Sequence, residues 1–324
     1  MEQQPRYAIG IDVGGTSIKA GVVRFDRAGT VLVEHVQHAT AMLGSIEDFL
    51  GLVSAQYQAW SATYPTIEAI GIGFPACVQW SAGLVAAPPN IPWWDAPVQF
   101  PLRAELSRQL ALPVAVDNDA NVAALAECKF GVARQWESML FVTLGTGVGG
   151  ALIINGQLYR GERGSAGELG HMVIDARAPL SSPAFRTGIL ERYVGRDAIL
   201  ERARRWCVDY PNSRLARMNQ LLDVEAIGEA ARDGDEAARG VLEETAEFFG
   251  IGLASAVALL GIEHIVVAGG IAGLPELFFD RARATLRQRS LPAIADNVQL
   301  VRSSLGATAG VLGAALLALD ATSG

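Results

Sequence analysis

The sequence predicts an α/β protein of two layered domains with largely parallel sheets. Three observations predict it. Short runs rich in Val and Ile alternate with longer segments of helical periodicity. The 324 residues suffice for roughly two domains of 100 to 200 residues each. A Gly-rich hairpin sequence also occurs twice. Laying IDVGGTSIKAGVV (11–23) over VTLGTGVGGALII (142–154) without gaps puts Asp12 on Thr143, Gly14 on Gly145 and Ala20 on Ala151. Each copy reads as strand, glycine turn, strand. Two such hairpins suggest duplicated halves facing each other across a cleft.

The elements follow in order. Tyr7–Asp12, Ile18–Asp26 and Val31–Ala39 read as strands separated by Gly-containing turns. A helix comes next: Ser45 is its N-cap, and Asp48 three residues on gives a capping-box-like start. Ile46, Phe49, Leu50, Val53, Tyr57 and Trp60 then share one helical face. IEAIGIG (67–73) and PVAVD (113–117) read as strands, Asp119–Phe130 as a helix and Met139–Thr143 as a strand. The region from about 188 to 260 is helical, with its longest apolar stripe from Ala238 to Leu260. HIVVAGG (264–270) returns to a strand. A helix, a strand near Val298–Val301 and a terminal helix complete the chain.

Composition narrows the function classes. Half of the residues are hydrophobic and 19% are charged, which supports large cores and excludes a disordered chain. The net charge of −8 argues against nucleic acid and anionic membrane as main partners. Cys77, Cys128 and Cys207 are scattered, with no CxxC spacing and no disulfide framework, which fits a reducing cytoplasm. MEQQPRYAIGID does not read as a signal peptide. The tail GATAGVLGAALLALDA is shorter than the ~20 residues of a membrane span and reads as a buried helix. Glycine is abundant, 35 residues, and clusters between apolar runs, where backbone must approach something closely.

Several short motifs carry candidate chemistry. Asp12-Val-Gly-Gly-Thr16 joins two strands, either as an ordinary hairpin turn or as a phosphate cradle. In the second reading Asp12 holds Mg²⁺ through water and Lys19 stands nearby. Thr143 to Gly150, TLGTGVGG, is a matching cradle, and the pair is more specific than either alone. Asp117-Asn-Asp-Ala-Asn121 ends a strand and opens a helix. It caps that helix, or supplies a carboxylate that accepts the proton of a substrate hydroxyl. VVAGG at 266–270 is a strand-to-helix turn or a flat surface for adenine. Trp93 and Trp94 cover a sugar ring or pack on the domain, and packing is favoured for at least one of them.

Taken in order, DxGGT, NDAN, TLGTGVGG, GELGH and VVAGG resemble the motifs of the ROK family of bacterial sugar kinases. The match runs over nearly the whole chain. It implies the actin-like, hexokinase-like ATPase fold, with two duplicated α/β domains around a cleft. We place a small domain at 1–118, completed by a C-terminal helix at 304–324, and a large domain at 119–303. The resemblance also implies ATP- and Mg²⁺-dependent phosphorylation of a hexose 6-hydroxyl, with glucose as first candidate. Asp119 is then the catalytic base, and Asn118 and Asn90 bind sugar hydroxyls. Glu168 and His171 of GELGH, with Glu191, are further sugar contacts. Gly14, Gly15, Thr16, Gly145, Thr146 and Gly147 hold phosphates, with Lys19 and Thr143 beside them. Gly269 and Gly270 face the nucleoside. A cytoplasmic homodimer is implied, with sugar and ATP as small-molecule partners, no nucleic acid and no membrane.

Two departures from the family pattern stand out. In most of the family this His begins a zinc site completed by a Cys-rich run. Here that run is Ser181-Ser-Pro183-Ala-Phe-Arg-Thr-Gly-Ile189-Leu-Glu191, without cysteine and with one residue inserted. A structural zinc needs four N or S ligands, and only His171 is left, so no zinc is expected. Packing by Phe185, Ile189 and Leu190 must order the loop instead. Ala76, after Pro75, replaces the usual glycine. N-acetylmannosamine, N-acetylglucosamine, fructose and allose stay open as acceptors, and polyphosphate as donor. A different class, a sugar-sensing ROK regulator, carries a helix-turn-helix before its kinase-like part. With the first strand at about residue 7, no room for one is expected.

Overall fold

The computed structural model describes residues 4–88, 91–179, 186–218 and 222–322. The chain begins with strands β1 (Arg6–Val13), β2 (Ser17–Asp26) and β3 (Gly29–Ala39), then helix α1 (Ile46–Ser61) and β4 (Ile67–Phe74). Three short strands follow, β5 (Val78–Gln79), β6 (Leu84–Ala86) and β7 (Gln99–Phe100). Next come α2 (Leu102–Leu110), β8 (Val114–Asn118), α3 (Asp119–Phe130), β9 (Met139–Leu144), β10 (Val148–Ile154) and β11 (Gln157–Tyr159). The helical stretch holds α4 (Glu191–Val194), α5 (Arg196–Asp209), α6 (Arg214–Met218), α7 (Val224–Arg232) and α8 (Glu236–Leu260). It is followed by β12 (His264–Ala268), α9 (Glu276–Arg289), α10 (Pro292–Ala295), β13 (Gln299–Arg302) and α11 (Ala309–Thr322).

Two five-stranded sheets share one plan. Their strand orders are β3-β2-β1-β4-β8 and β11-β10-β9-β12-β13. The second order is the first repeated with later strands, so the weak sequence repeat marks two equivalent halves. The sheets are mixed rather than largely parallel. β1–β4, β4–β8, β9–β12 and β12–β13 pair parallel, whereas β1–β2, β2–β3 and β10–β11 pair antiparallel. The glycine turns explain this: a connection that short can join only antiparallel neighbours, and parallel pairing needs a long crossover. A third small sheet has the order β5-β6-β7.

The chain divides into two compact units. The first comprises Met1–Trp136, Leu152–Ala166 and Ser304–Gly324; the second comprises Glu137–Ala151 and Gly167–Ser303. The division expected at 118/119 falls inside the first unit, because α3 packs on α11. A Cβ added at Gly313 would stand 1.7 Å from the Val122 carbonyl oxygen, so the two helix backbones nearly touch. Only glycine permits that approach.

In the first unit, α1 starts as its sequence indicates: Ser45 Oγ accepts from the Asp48 amide at 3.1 Å. Its face of Ile46, Phe49, Leu50, Val53 and Trp60 is buried, while Tyr57 is half-buried. Trp93 stacks on Phe49 with centroids 5.6 Å apart, and Trp94 meets Phe74 edge-on at 5.5 Å. Both tryptophans therefore pack on the domain. Burying a ring such as Phe49 contributes about 1.5–3 kcal/mol. In the second unit, α8 is capped by Asp235, whose carboxylate accepts from the Ala238 amide at 2.9 Å. It ends at Gly261 in the left-handed region, φ 63°.

Candidate active site

The first unit supplies a hairpin and a strand-to-helix turn. The hairpin between β1 and β2 closes through Gly14 N–H to the Ser17 carbonyl at 2.9 Å, which leaves Gly15 and Thr16 exposed at its tip. Asp12, near the end of β1, lies opposite Lys19 in the strand register. It packs so closely on α11 that a Cβ at Gly310 would stand 2.4 Å from its Cγ. Burial pushes the Asp12 carboxyl above its ordinary range, and the Lys19 charge draws it partly back.

The NDAN turn is held from below. Asp117 is buried, 1% exposed. Its Oδ1 accepts from the Asn118 amide at 2.8 Å and from Asn121 Nδ2 at 2.7 Å. Its Oδ2 accepts from Arg160 Nε at 2.6 Å, and the Arg160 guanidinium lies 4.8 Å from the Trp80 ring centroid. Asn118 is the N-cap of α3: its Oδ1 accepts from the amides of Ala120 and Asn121 at 2.9 and 3.3 Å. Its Nδ2 donates to the Ala76 carbonyl at 3.2 Å. The capping function is thus present, and it orients Asn118 as well. Asp119, half-buried, opens α3 where the helix dipole favours a negative charge. Asn90 lies outside the described residues.

The second unit supplies the matching hairpin and the GELGH segment. Gly145 N–H donates to the Gly147 carbonyl at 3.0 Å, with Thr146 exposed at the tip. Thr143 pairs with Ala268 of β12, which sets this hairpin beside the exposed Gly269 and Gly270. Gly269 has φ 89°, and its backbone runs against that of Leu144. GELGH forms a single 3-10 turn, Leu169–His171, with Glu168 at its start. His171 Nε2 lies 3.9 Å from Glu168 Oε2, both largely exposed. Glu191 opens α4, and its Oε2 accepts from the Val148 amide of the hairpin at 3.0 Å. A Cβ at Gly147 would stand 2.3 Å from that oxygen, so glycine is what lets the carboxylate rest there.

Ile189 and Leu190 are buried as expected, while Phe185 lies outside the described residues. Backbone bonds close the neck of this loop. Leu190 N–H donates to the Met172 carbonyl at 2.9 Å, and Ile174 N–H to the Gly188 carbonyl at 2.8 Å. Among the described residues no group of three or more His, Cys, Asp and Glu side chains could hold a metal ion.

Each unit by itself carries backbone donors of the kind that bind phosphate. Exposed hairpin backbone at Gly15–Thr16 and Thr146 offers N–H groups, and a Cβ at Gly145 or Gly270 would meet only open space. Asp12 is a single carboxylate of the kind that holds Mg²⁺ through water beside phosphates. Asp117 and Arg160 were not singled out from the sequence. The first directly precedes NDAN, and the second directly follows QLY, before a glycine.

Comparison with known proteins agrees with this architecture. The sequence model of the ROK family matches residues 8–321. A glucokinase of Halalkalibacterium halodurans is 30% identical over 314 residues, covering 95% of this chain and 93% of that protein. A xylose repressor of Caldicellulosiruptor bescii is 30% identical over 312 residues, covering 94% of this chain and 76% of that protein. Among solved structures, a ROK family glucokinase from Streptomyces griseus in complex with glucose and AMPPNP aligns with a TM-score of 0.80 and 31% identity. That alignment covers 97% of this chain and 99% of that one. With a family match from residue 8 to residue 321, this chain belongs to the ROK family.

Proposed function

We propose that this chain is an ATP-dependent hexose kinase that phosphorylates the 6-hydroxyl of its sugar, with glucose as the first acceptor. The observation that carries this is the NDAN turn. It presents Asp119 at a helix N-terminus, supported by buried Asp117 and Asn121 and by half-buried Arg160. Similarity to a glucokinase that binds glucose and AMPPNP supports it.

In this reading Asp119 accepts the proton of the sugar hydroxyl as that oxygen attacks phosphorus in line. Glu168, His171 and Glu191 bind and orient the sugar, together with Asn118 and Asn90. The hairpin backbones at Gly14–Thr16 and Gly145–Gly147 bind the phosphates, with Lys19 and Thr143 near them, and Gly269–Gly270 lie against the nucleoside. Mg²⁺, when bound, neutralises phosphate charge, and Asp12 would hold it through water. The support from Asp117 and Arg160 fixes the base in advance, so orientation contributes to the rate.

The likeness to a xylose repressor at the same identity favours a second reading, a sugar-responsive regulator. ADP release with MgATP, over glucose, fructose, N-acetylmannosamine and N-acetylglucosamine, separates the two. Turnover on one of these sugars establishes the kinase and names its acceptor. Sugar binding without turnover, with ATP or polyphosphate as donor, establishes the regulator. The same sample reports zinc content by metal analysis, and the proposed homodimer by light scattering. The scattered cysteines support a cytoplasmic location.

A further inference from the structure

We propose that Tyr193 and Asp175 form a clasp that positions the sugar-binding side chains beside its two ends, Glu168 and His171 just before Asp175 and Glu191 just before Tyr193. The role rests on the hexose-kinase reading.

The geometry is a short closed circuit. Tyr193 Oη donates to Asp175 Oδ2 at 2.9 Å. Asp175 also takes the Arg177 amide on Oδ1 at 2.9 Å, so both carboxylate oxygens are engaged. Asp175 N–H donates to the Gly188 carbonyl at 3.1 Å, and Val173 bridges Ile189. From there Leu190 N–H reaches the Met172 carbonyl, one residue beyond His171. The 3-10 turn of GELGH and the start of α4 are therefore joined at two levels: by a backbone ladder near the sugar residues, and by the side-chain clasp at the ladder's far end. Gly188, with φ 74°, is part of the fit, since a Cβ there would stand 2.4 Å from the Asp175 carbonyl oxygen.

The clasp is also anchored. The Tyr193 ring lies 4.5 Å from the Phe248 ring on α8. The Tyr193 carbonyl accepts from Arg202 Nη1 at 3.1 Å, and Arg202 is itself buried and donates to Thr245 Oγ1 at 2.8 Å. Tyr193 is thus fixed to two long helices, and its hydroxyl passes that rigidity to the loop. A ladder this short has little stability of its own, because only a few backbone bonds offset the entropy of ordering the segment. Hydrogen bonding agrees with a charged clasp: the Arg177 amide and the Tyr193 hydroxyl hold the Asp175 carboxyl below its ordinary range.

A purely local stabilising role and a positioning role separate in experiment. Tyr193→Phe keeps the ring on Phe248 and removes only the donor. Asp175→Asn keeps an acceptor, and Asp175→Ala removes it. In hydrogen exchange, the Ile174 and Leu190 amides should open roughly tenfold faster in Tyr193→Phe and Asp175→Ala, with Asp175→Asn between these and the parent. In turnover with the sugar that the parent protein accepts, KM for sugar should rise several-fold, roughly in step with exchange. KM for ATP and kcat should stay within about twofold. Unchanged exchange overturns the clasp. Faster exchange with an unchanged sugar KM overturns its positioning role and leaves a loop staple. If the parent protein binds no sugar of the panel, it is the hexose reading that fails, and the exchange data alone then decide the clasp.

Discussion

Arg160 Nε donates to Asp117 Oδ2 across 2.6 Å, joining the residue that follows β11 to the penultimate residue of β8. The Asp117 side chain is almost fully buried and that of Arg160 is 18% exposed. Such a pair is costly to break from one side, because the remaining charge stays in the interior. Arg160→Met should therefore cost about 3 kcal/mol in urea unfolding. Because the same carboxylate holds Asn118 and Asn121, kcat should also fall, by about 10- to 100-fold. Loss of stability with full kcat would show that the pair only braces the fold.

Asp119→Asn tests the base. The side chain keeps its size, and Asn118 still caps α3. Turnover should drop about 10²- to 10⁴-fold, the usual contribution of a positioned base. Sugar affinity, followed by tryptophan fluorescence or calorimetry, should change little. Near-full activity in this variant would remove Asp119 from the reaction.

Asp12 gives a pH signature. Its folded pKa lies above the unfolded value of about 3.9. Below that value both states are protonated and Asp12 costs nothing. As pH rises toward the folded value, the native protein keeps a proton that the unfolded chain has lost, and stability falls. Above the window the penalty is complete. Asp12→Asn should flatten this part of the Tm-against-pH curve and raise Tm at pH 7 by about 2 °C. The same variant should lose the response of Tm to added MgATP. A variant that keeps that response does not place Asp12 at the metal.

Glu127 offers a stability change away from the reacting groups. It is fully buried at the end of α3. Its carboxylate accepts from the amides of Val132, Ser304 and Leu305 and from the Ser304 hydroxyl, at 2.9 to 3.1 Å. Glu127→Ala leaves these donors without their acceptor and should destabilise the protein by about 3 kcal/mol. Glu127→Gln keeps an acceptor and should cost less. In folded protein at low temperature, KM for sugar should match the parent.

Much of this architecture was legible because it is local or periodic. The hairpin glycines, the Ser45 cap and the apolar stripe of α8 each appear as residues a few positions apart. Asp117 with Arg160, and Asp175 with Tyr193, left no such mark. Each is a contact between distant segments, and its partner is chosen by the fold. The 118/119 division failed for a related reason. A strand end followed by a polar helix start looks like a border, while the packing of α3 on α11 is written only in small residues such as Gly313. For the NDAN turn the cap was legible, and the geometry shows Asn118 capping α3 while its Nδ2 donates to the Ala76 carbonyl.

Helix α11 has a consequence for how the protein is made. It lies against β1, β4 and α3, elements synthesised about 180 residues or more before it. Ala8, Val23 and Ala69 leave the ribosome early, yet the sheet face they share stays uncovered until the final helix emerges. The second unit, by contrast, has all of its sequence by Ser303. The half begun first is finished last. During that interval its apolar sheet is the surface most in need of a chaperone, and premature release would strand the first unit rather than the second.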